Sequence, residues 1–299
     1  MLSFRIWNRN KGQKANVVLH LGAHKTGTSL VQKFFRDNVK EMKKRGIAAI
    51  GRGETETAIG WGDKIDTKRN NIDSLVDKYD GPRIGCVLLS HENALGRPFV
   101  DGCPQLYPRA KECAEKLNQT VGDRVSKVIY YTRSLDAFVE SYYLQTVHQG
   151  GHETFERWFD RIDMERLSWV PVFESLQQVF GEWRVVIKDF GDSIGPGQAE
   201  FLRSFVRLID DRYNWNNNVF EYKPDRNISI GDKGLDIALR VNGYLETRAQ
   251  KKAMRRLLQK YFNNKKYSRP ELLTAERKAL LRERYSKERM HLGLDSVSR

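Results

Sequence analysis

Cysteine is scarce in this chain of 299 residues, which has only Cys86, Cys103 and Cys113 and no CxxC pair. An odd, dispersed set of this kind argues against a disulfide framework and against a zinc site made of cysteines alone. Such usage is typical of a reducing compartment. The sequence therefore predicts a protein of the cytoplasm, either free there or peripheral to the inner face of a membrane.

Long apolar runs are also missing. No run reaches the ~20 residues that a helix needs to span a bilayer. The basic N-terminal stretch MLSFRIWNRNKGQK lacks an apolar segment of signal-peptide length. No HxxxH pair or His/Asp cluster is interpreted as a metal site, so we expect no metal requirement.

Positive charge is abundant. The chain has 52 lysines and arginines but only 38 aspartates and glutamates, which gives a formal net charge of +14. A surface of this sign attracts anions such as nucleotides, acidic glycans, nucleic acid or acidic lipid headgroups. The cations are spread along the chain, so an alternative is that they only keep the protein soluble. Composition leaves both interpretations open.

Short apolar runs alternate with segments of helical periodicity. The runs predicted as buried strands are Val17 to Leu21, Gly46 to Ile50, Ile84 to Leu89, Lys127 to Thr132 and Trp183 to Lys188. The segments predicted as helices are 28–44, 72–79, 110–121, 135–147, 155–162, 169–180, 197–209, 234–258 and 270–290, with loops in the rest of 51–83 and in 94–108 and 211–231. This alternation predicts an α/β fold in which helices cover a parallel sheet.

The first strand and the first helix are joined by a loop from Gly22 to Gly27. Strand, glycine-bearing loop and helix together present backbone N–H groups and a positive helix end to a phosphate. Lys25, Thr28 and Ser29 add a cation and two hydroxyl groups. The glycine spacing is that of a Walker A motif, but Thr28 stands where that motif has its lysine. The loop is therefore interpreted as an anion site for a donor other than a nucleotide γ-phosphate bound with magnesium.

Polar side chains follow three of the predicted strands. Lys25 comes after the first strand, His91 and Glu92 after the run ending at Leu89, and Arg133 directly after Thr132. The carboxyl ends of parallel strands meet at one edge of a sheet, where ligands bind. We therefore expect a single cleft. His91 and Glu92 are both candidate bases, and each could equally be a helix cap or a satisfied loop residue.

The segment GAHKTGTSLVQ resembles the 5′-phosphosulfate-binding loop of the PAPS-dependent sulfotransferases, especially bacterial and carbohydrate-type members, in which it has the form PKTGTTxLQ. Lys25 to Ser29 match that form and Gln32 keeps the trailing glutamine, while His24 replaces the usual proline. Arg133, with Ser141 eight residues later, is similar to the 3′-phosphate-binding element of the family.

The resemblance implies a role for each residue of the loop. Lys25 would neutralise the charge that grows on the bridging oxygen of the leaving phosphate. Thr26, Gly27, Thr28 and Ser29 would hold the 5′-phosphosulfate through backbone and hydroxyl groups.

The resemblance also extends beyond the loop. Arg133 and Ser141 would hold the 3′-phosphate and so select PAPS over ATP. Similar bacterial sequences carry a strand followed by S-x-E, which favours Glu92 over its neighbour as the base. The segment from Arg226 to Ser229 is similar to one that closes over the nucleotide in carbohydrate-type members, and a plain loop is the equal alternative.

At the level of the chain, the resemblance implies a polar lead-in over residues 1–15 and a single domain over 16–299 with a helical C-terminal part. The implied fold is three-layered and P-loop-like. The implied reaction transfers a sulfuryl group from PAPS to a hydroxyl or amine of an acceptor, a carbohydrate or glycan, by in-line displacement without a metal, and leaves PAP. The positive charge favours an anionic acceptor.

Two other classes stay open. A kinase or NTPase with a degenerate P-loop would need a lysine at position 28 and an apolar strand ending in a magnesium-binding aspartate, and neither is clearly seen. A basic nucleic-acid-binding module would interleave aromatic and basic residues on one face. The basic segment containing Arg248, Lys251, Lys252, Arg255 and Arg256 is poor in aromatics, and is either a solvated helix or an attracting surface for an anionic acceptor.

Overall fold

The computed structural model describes residues 13–59, 70–210, 220 and 229–295, so the lead-in over 1–15 lies largely outside the described residues. The chain divides into two compact units. The first contains residues 1–133, 168–224 and 288–299, and the second contains residues 134–167 and 225–287. A single domain over 16–299 stays a prediction.

A parallel sheet of five strands forms the centre of the first unit. The strands are β1 (Asn16–His20), β2 (Ile47–Ala49), β3 (Cys86–Ser90), β4 (Val125–Thr132) and β5 (Val185–Asp189), in the order β2-β3-β1-β4-β5. Every neighbouring pair is parallel. Each strand lies within one or two residues of a predicted apolar run, because a strand buried on both faces of a parallel sheet is continuously apolar.

Thirteen helices lie in the described part of the chain. In order they are α1 (Thr28–Asp37), α2 (Val39–Lys44), α3 (Arg52–Ile59), α4 (Asn70–Tyr79), α5 (Ala110–Val121), α6 (Leu135–His148), α7 (Phe155–Phe159), α8 (Val170–Phe180), α9 (Phe190–Ile194), α10 (Gln198–Ile209), α11 (Asp232–Val241), α12 (Arg248–Tyr261) and α13 (Ala275–His291). A central parallel sheet flanked by helices confirms the predicted α/β class.

The core of the first unit lies between the sheet and the helices α1 and α10. Leu30, Val31, Phe34 and Phe35 of α1 share one apolar cluster with residues of β1, β3, β4 and α10. The Phe35 ring lies 6.1 Å from that of Phe205, edge to face. The helix that follows the loop is therefore held rigidly against the sheet.

Two helices predicted as continuous are each divided. The helix predicted over 28–44 ends at Asn38, whose side-chain amide donates to the Phe34 carbonyl at 2.9 Å. The helix predicted over 234–258 is interrupted after Val241. There, the buried Asn242 amide donates to the carbonyls of Val147 and Gly151, both at 2.8 Å. Both interruptions use a side-chain amide to satisfy backbone carbonyls, which hydrophobic periodicity does not reveal.

Helix α3 lies where the sequence predicts a loop. Arg52 and Glu56 form an ion pair at 2.6 Å along the helix. Glu54 accepts from Lys78 at 2.6 Å and also from the Tyr79 hydroxyl, which joins α3 to α4. Contacts with a neighbouring helix, rather than local periodicity, account for this element.

The second unit contains α6, α7, α11, α12 and most of α13. Tyr143, Phe155 and Trp158 pack their rings against one another in its core. The buried carboxylate of Asp136 lies 2.7 Å from Arg282. No helix in the described ranges combines the length and apolar character that crossing a membrane requires.

Candidate functional site

Three neighbouring strands bring the predicted residues of the first unit to one edge of the sheet. β1 lies between β3 and β4, and His20 at its carboxyl end is in register with Ser90 of β3. The anion loop follows β1, Glu92 comes two residues after β3, and Arg133 comes directly after β4. Parallel strands position these side chains at the same edge, where α/β folds bind ligands.

The backbone of the loop alternates in handedness. Lys25 has a φ of 65° and Gly27 a φ of 81°, both left-handed, while Thr26 between them has no positive φ. Alternation of this kind turns successive N–H groups to one side and forms a concave anion-binding nest. A Cβ on Gly27 would lie 2.8 Å from the Phe190 ring, so both conformation and space require glycine there.

Two side chains hold the loop in this shape. The buried Thr26 hydroxyl donates to the Ala23 carbonyl at 2.6 Å. The Gln32 amide, one turn into α1, donates to the Ser90 carbonyl at 2.9 Å. The Thr26 hydroxyl therefore shapes the loop, and what Thr26 can offer an anion is its backbone N–H.

The first turn of α1 lacks a capping side chain. Gly27 is its N-cap and supplies no side-chain hydrogen bond, and the first turn has no acidic residue. The Thr28 hydroxyl is buried, with 2% of the residue exposed, and has no hydrogen-bond partner. Ser29 beside it is exposed. A buried hydroxyl without a partner is costly, and an anion at the helix end would supply one.

Arg133 is held against the same loop. Its Nη1 donates to the Lys25 carbonyl at 3.0 Å, and its guanidinium lies 5.7 Å from the centre of the Phe190 ring. The Arg133 carbonyl accepts from Trp169 Nε1 at 2.8 Å. A guanidinium fixed in this way can bind a phosphate in a defined orientation.

The two candidate bases differ in accessibility. His91 is 2% exposed, and its Nδ1 accepts from the Asn93 N–H at 3.1 Å. The Glu92 side chain is 20% exposed, and its Oε1 lies 3.8 Å from Arg52 Nη2. The carboxylate is thus the group that an acceptor can reach. The sequence did not point to Arg52, since its segment was predicted as a loop.

His24, at the position of the expected proline, is bonded on both ring nitrogens. Nδ1 accepts from the Tyr107 hydroxyl at 2.7 Å, and that hydroxyl accepts from the His24 N–H at 2.8 Å. Nε2 donates to Asn93 Oδ1 at 2.7 Å. The pKa of His24 is lowered, mainly because the ring is buried and also because Lys25 lies nearby. Glu92 and Asn93 act in the opposite direction but do not outweigh the burial. His24 therefore positions the loop, and no sequence signal singled out Tyr107.

His20, at the end of β1, lies beneath the loop. It is fully buried, and burial lowers its pKa to about 3. Its Nδ1 lies 2.9 Å from Ser90 Oγ, and its ring packs edge to face on Phe205. A Cβ on Gly22 would lie 2.8 Å from His20 Nε2. This histidine is a neutral part of the floor beneath the loop.

Three predicted residues are not among the described residues of the first unit. Ser141 on α6 and Ser229 lie in the second unit, and Arg226 lies outside the described residues. Their contacts with a nucleotide stay predictions. No group of three or more His, Cys, Asp or Glu residues in the described ranges could hold a metal ion.

Comparison with known proteins gives a distant similarity to a solved structure. No family model and no curated protein matches the chain. Among solved structures, the fold is similar to the crystal structure of a sulfotransferase from Alicyclobacillus acidocaldarius, with a TM-score of 0.42 and 13% sequence identity. The match covers 80% of this chain and 99% of that one. A similarity of this degree carries no argument about family or activity.

Proposed function

We propose that the chain is a sulfotransferase that moves a sulfuryl group from PAPS to a hydroxyl or amine of an acceptor, a carbohydrate or glycan. The observation that carries the proposal is the bond from Arg133 to the Lys25 carbonyl. It joins a cation suited to a phosphate directly to a nest-shaped loop that carries its own lysine. An enzyme acting on a γ-phosphate would need a lysine at Thr28 instead.

The loop would hold the 5′-phosphosulfate. Backbone N–H groups of Thr26, Gly27 and Thr28, with the hydroxyls of Thr28 and Ser29, surround the negative oxygens. The Lys25 ammonium stabilises the charge that develops on the bridging oxygen as its bond to sulfur breaks. The chemistry of this donor set, with N–H, hydroxyl and ammonium groups, is suited to binding an anion directly.

The acceptor oxygen or nitrogen would attack sulfur in line with the leaving phosphate. A bond from the acceptor to sulfur forms while the sulfur bond to the bridging oxygen breaks, and Glu92 takes the acceptor proton. Greater accessibility favours Glu92 over the buried His91. Arg133, with Ser141 and further contacts from Arg226 and Ser229, would bind the 3′-phosphate and select PAPS over ATP.

A binding experiment tests this function. Titration calorimetry compares PAP, ATP with magnesium, and an oligonucleotide. We expect PAP to bind without metal, and Arg133→Ala to weaken it at least ~10-fold, since a hydrogen bond to a charged group contributes ~1.5–3 kcal/mol. Arg36→Ala, which removes an exposed cation of the same unit, is the matched control and leaves PAP binding unchanged.

Each result that contradicts the proposed function would indicate a different class of protein. Tight binding of ATP with magnesium while PAP is ignored would identify a nucleotide-dependent kinase or NTPase, and preference for the oligonucleotide would identify a nucleic-acid-binding protein. If PAP binds, incubation with labelled PAPS and a panel of sugars, lipids and small alcohols identifies the acceptor.

The free cysteines, with Cys86 and Cys113 buried, support our placing the protein in the cytoplasm.

A further inference from the structure

One side of α12 carries a continuous row of positive charge. Arg248, Lys252, Arg256 and Lys260 recur at every fourth residue, so their side chains lie one above the other along the helix. All four are exposed. With a rise of ~1.5 Å per residue, the row extends for ~18 Å. We call these four residues the basic row.

The basic row has no internal counter-charge. Helix α12 contains no acidic residue, and no ion pair among the described residues includes any of the four cations. Two exposed cations elsewhere in the second unit are, by contrast, paired: Arg240 lies 3.0 Å from Asp236 and Lys287 lies 2.7 Å from Glu283. Unlike those cations, the row can neutralise an external anion without breaking an existing ion pair.

The surroundings of the row narrow the kind of anion. Ala249 and Ala253 are exposed beside the cations, and the Tyr261 ring lies 4.8 Å from the Lys260 ammonium at one end of the row. A ring at one end is not the series of rings on which successive bases stack. Leu258 is buried, and Leu257 and Tyr261 are half-exposed only beside the Lys260 end. Arg248, Lys252 and Arg256 therefore have no large apolar side chain of the same helix beside them with which it could enter a lipid surface.

We propose that the basic row is a docking surface for a linear acidic polysaccharide. Charge complementarity favours an extended polyanion, and the length of the row suits several sugar units. The choice of a glycan rests on the proposed function, in which a carbohydrate is the acceptor. The row then determines which acceptors the enzyme engages, namely those whose chain carries regularly spaced carboxylates or sulfates.

Direct binding of a glycan tests the proposal without any turnover. The probe is a fluorescently labelled oligosaccharide of hyaluronan, which carries carboxylates and no sulfate, measured by anisotropy over a series of salt concentrations. In Lys252→Gln/Arg256→Gln, we expect affinity at low salt to fall at least ~10-fold and its dependence on salt to become shallower, because two of the four cations are removed. Glutamine has nearly the helix propensity of lysine and arginine.

A matched control separates the row from net charge. Arg240→Gln/Lys287→Gln removes the same charge from paired positions of the same unit and is expected to change affinity less than ~2-fold. Equal weakening in both variants overturns the proposal, as does tighter binding to duplex DNA or to phosphatidylserine vesicles than to the oligosaccharide. PAP binding, measured in parallel, reports on the proposed function alone, so the two can fail separately.

Discussion

Glycine is required at position 27 both by the backbone conformation and by the space available for a side chain. Its φ of 81° lies where side chains are disfavoured, and an added Cβ would meet Phe190 at 2.8 Å and Phe201 at 3.2 Å. The same residue is the N-cap of α1. Its conformation therefore sets the direction in which both the loop and the helix present their N–H groups.

Gly27→Ala is expected to weaken PAP binding at least ~10-fold and to destabilise the first unit by ~2–3 kcal/mol, from left-handed strain together with the close contact. Calorimetry and urea unfolding measure the two effects. The control is Gly102→Ala, because Gly102 has a φ of 75° with nothing within 4 Å of its added Cβ. If the two variants lose equal stability, packing against Phe190 plays no part.

Glu92→Gln is expected to lower kcat by ~10²–10⁴-fold while PAP affinity stays within ~2-fold, because the amide cannot accept the acceptor proton. Rates with labelled PAPS measure the change. His91→Gln is the comparison, since His91 is buried and its Nδ1 is engaged by Asn93. A large loss of kcat in His91→Gln with normal turnover in Glu92→Gln would assign the base to the histidine.

His20 makes stability depend on pH. Its pKa in the folded protein is about 3, below the ordinary value near 6.5, so the unfolded chain binds a proton that the folded chain rejects. The free energy of unfolding should fall as pH falls from ~6.5 towards 3, by up to ~1.4 kcal/mol per unit. Urea unfolding at several pH values measures this dependence. In His20→Phe, the free energy of unfolding should fall less steeply with falling pH. In His291→Gln, which changes an exposed position, it should fall as steeply as in the unchanged protein.

At the scale of elements, strands were predictable and several helix boundaries were not. A strand in the middle of a parallel sheet is largely apolar, so residues 17–19 of β1, 86–89 of β3 and 128–131 of β4 appear as unbroken runs. Helices such as α5 were also visible from periodicity. The end of α1 at Asn38 and the start of α12 at Thr247 depend on individual hydrogen bonds of side chains, which a pattern of apolar residues does not encode.

The residues of the candidate site likewise divide into those that the sequence pattern could reveal and those that it could not. Lys25, Glu92 and Arg133 were predictable because each follows a strand, and the order of strands brings them to one edge. Tyr107 and Arg52 were not predictable, since their roles come from residues far away in sequence: Tyr107 bonds to His24 and Arg52 lies near Glu92. Only tertiary structure creates such contacts.

The start of α12 offers a test at this scale. Thr247 accepts from the Gln250 N–H at 3.2 Å, and Gln250 Oε1 accepts from the Thr247 N–H at 2.8 Å, which together form a capping box. Thr247→Ala should cost ~1 kcal/mol and speed hydrogen exchange in the first turn of α12. Thr247→Ser keeps the acceptor and should leave exchange nearly unchanged. Equal exchange in all three proteins would show that packing, rather than the cap, sets the boundary.

At the scale of the whole molecule, the chain forms two compact units that differ in character. The first contains the parallel sheet with the loop, Glu92 and Arg133. The second is built from helices and carries the basic row. The chain passes between the units more than once, so sequence segments and structural units do not coincide. A sequence pattern read along the chain gave no sign of these two units, and the single domain over 16–299 stays a prediction.

Because a ligand stabilises the part of a protein that binds it, PAP should protect the first unit. At 100 times its Kd, binding contributes ~2.7 kcal/mol, which slows exchange of amides that open only by global unfolding ~100-fold. Hydrogen exchange of β1 and β3 measures this effect. ATP with magnesium is the control ligand. Protection that is confined to α11 and α12 would place PAP binding in the second unit and contradict our site.

The left-handed conformation of Lys25, with a φ of 65°, has a consequence for engineering. A side chain in this region costs ~1–2 kcal/mol relative to an ordinary conformation, and glycine avoids most of that cost. A library selected only for heat resistance should therefore accumulate glycine at position 25 and lose the ammonium group. Selection for durability and selection for turnover would then favour different residues at this one position.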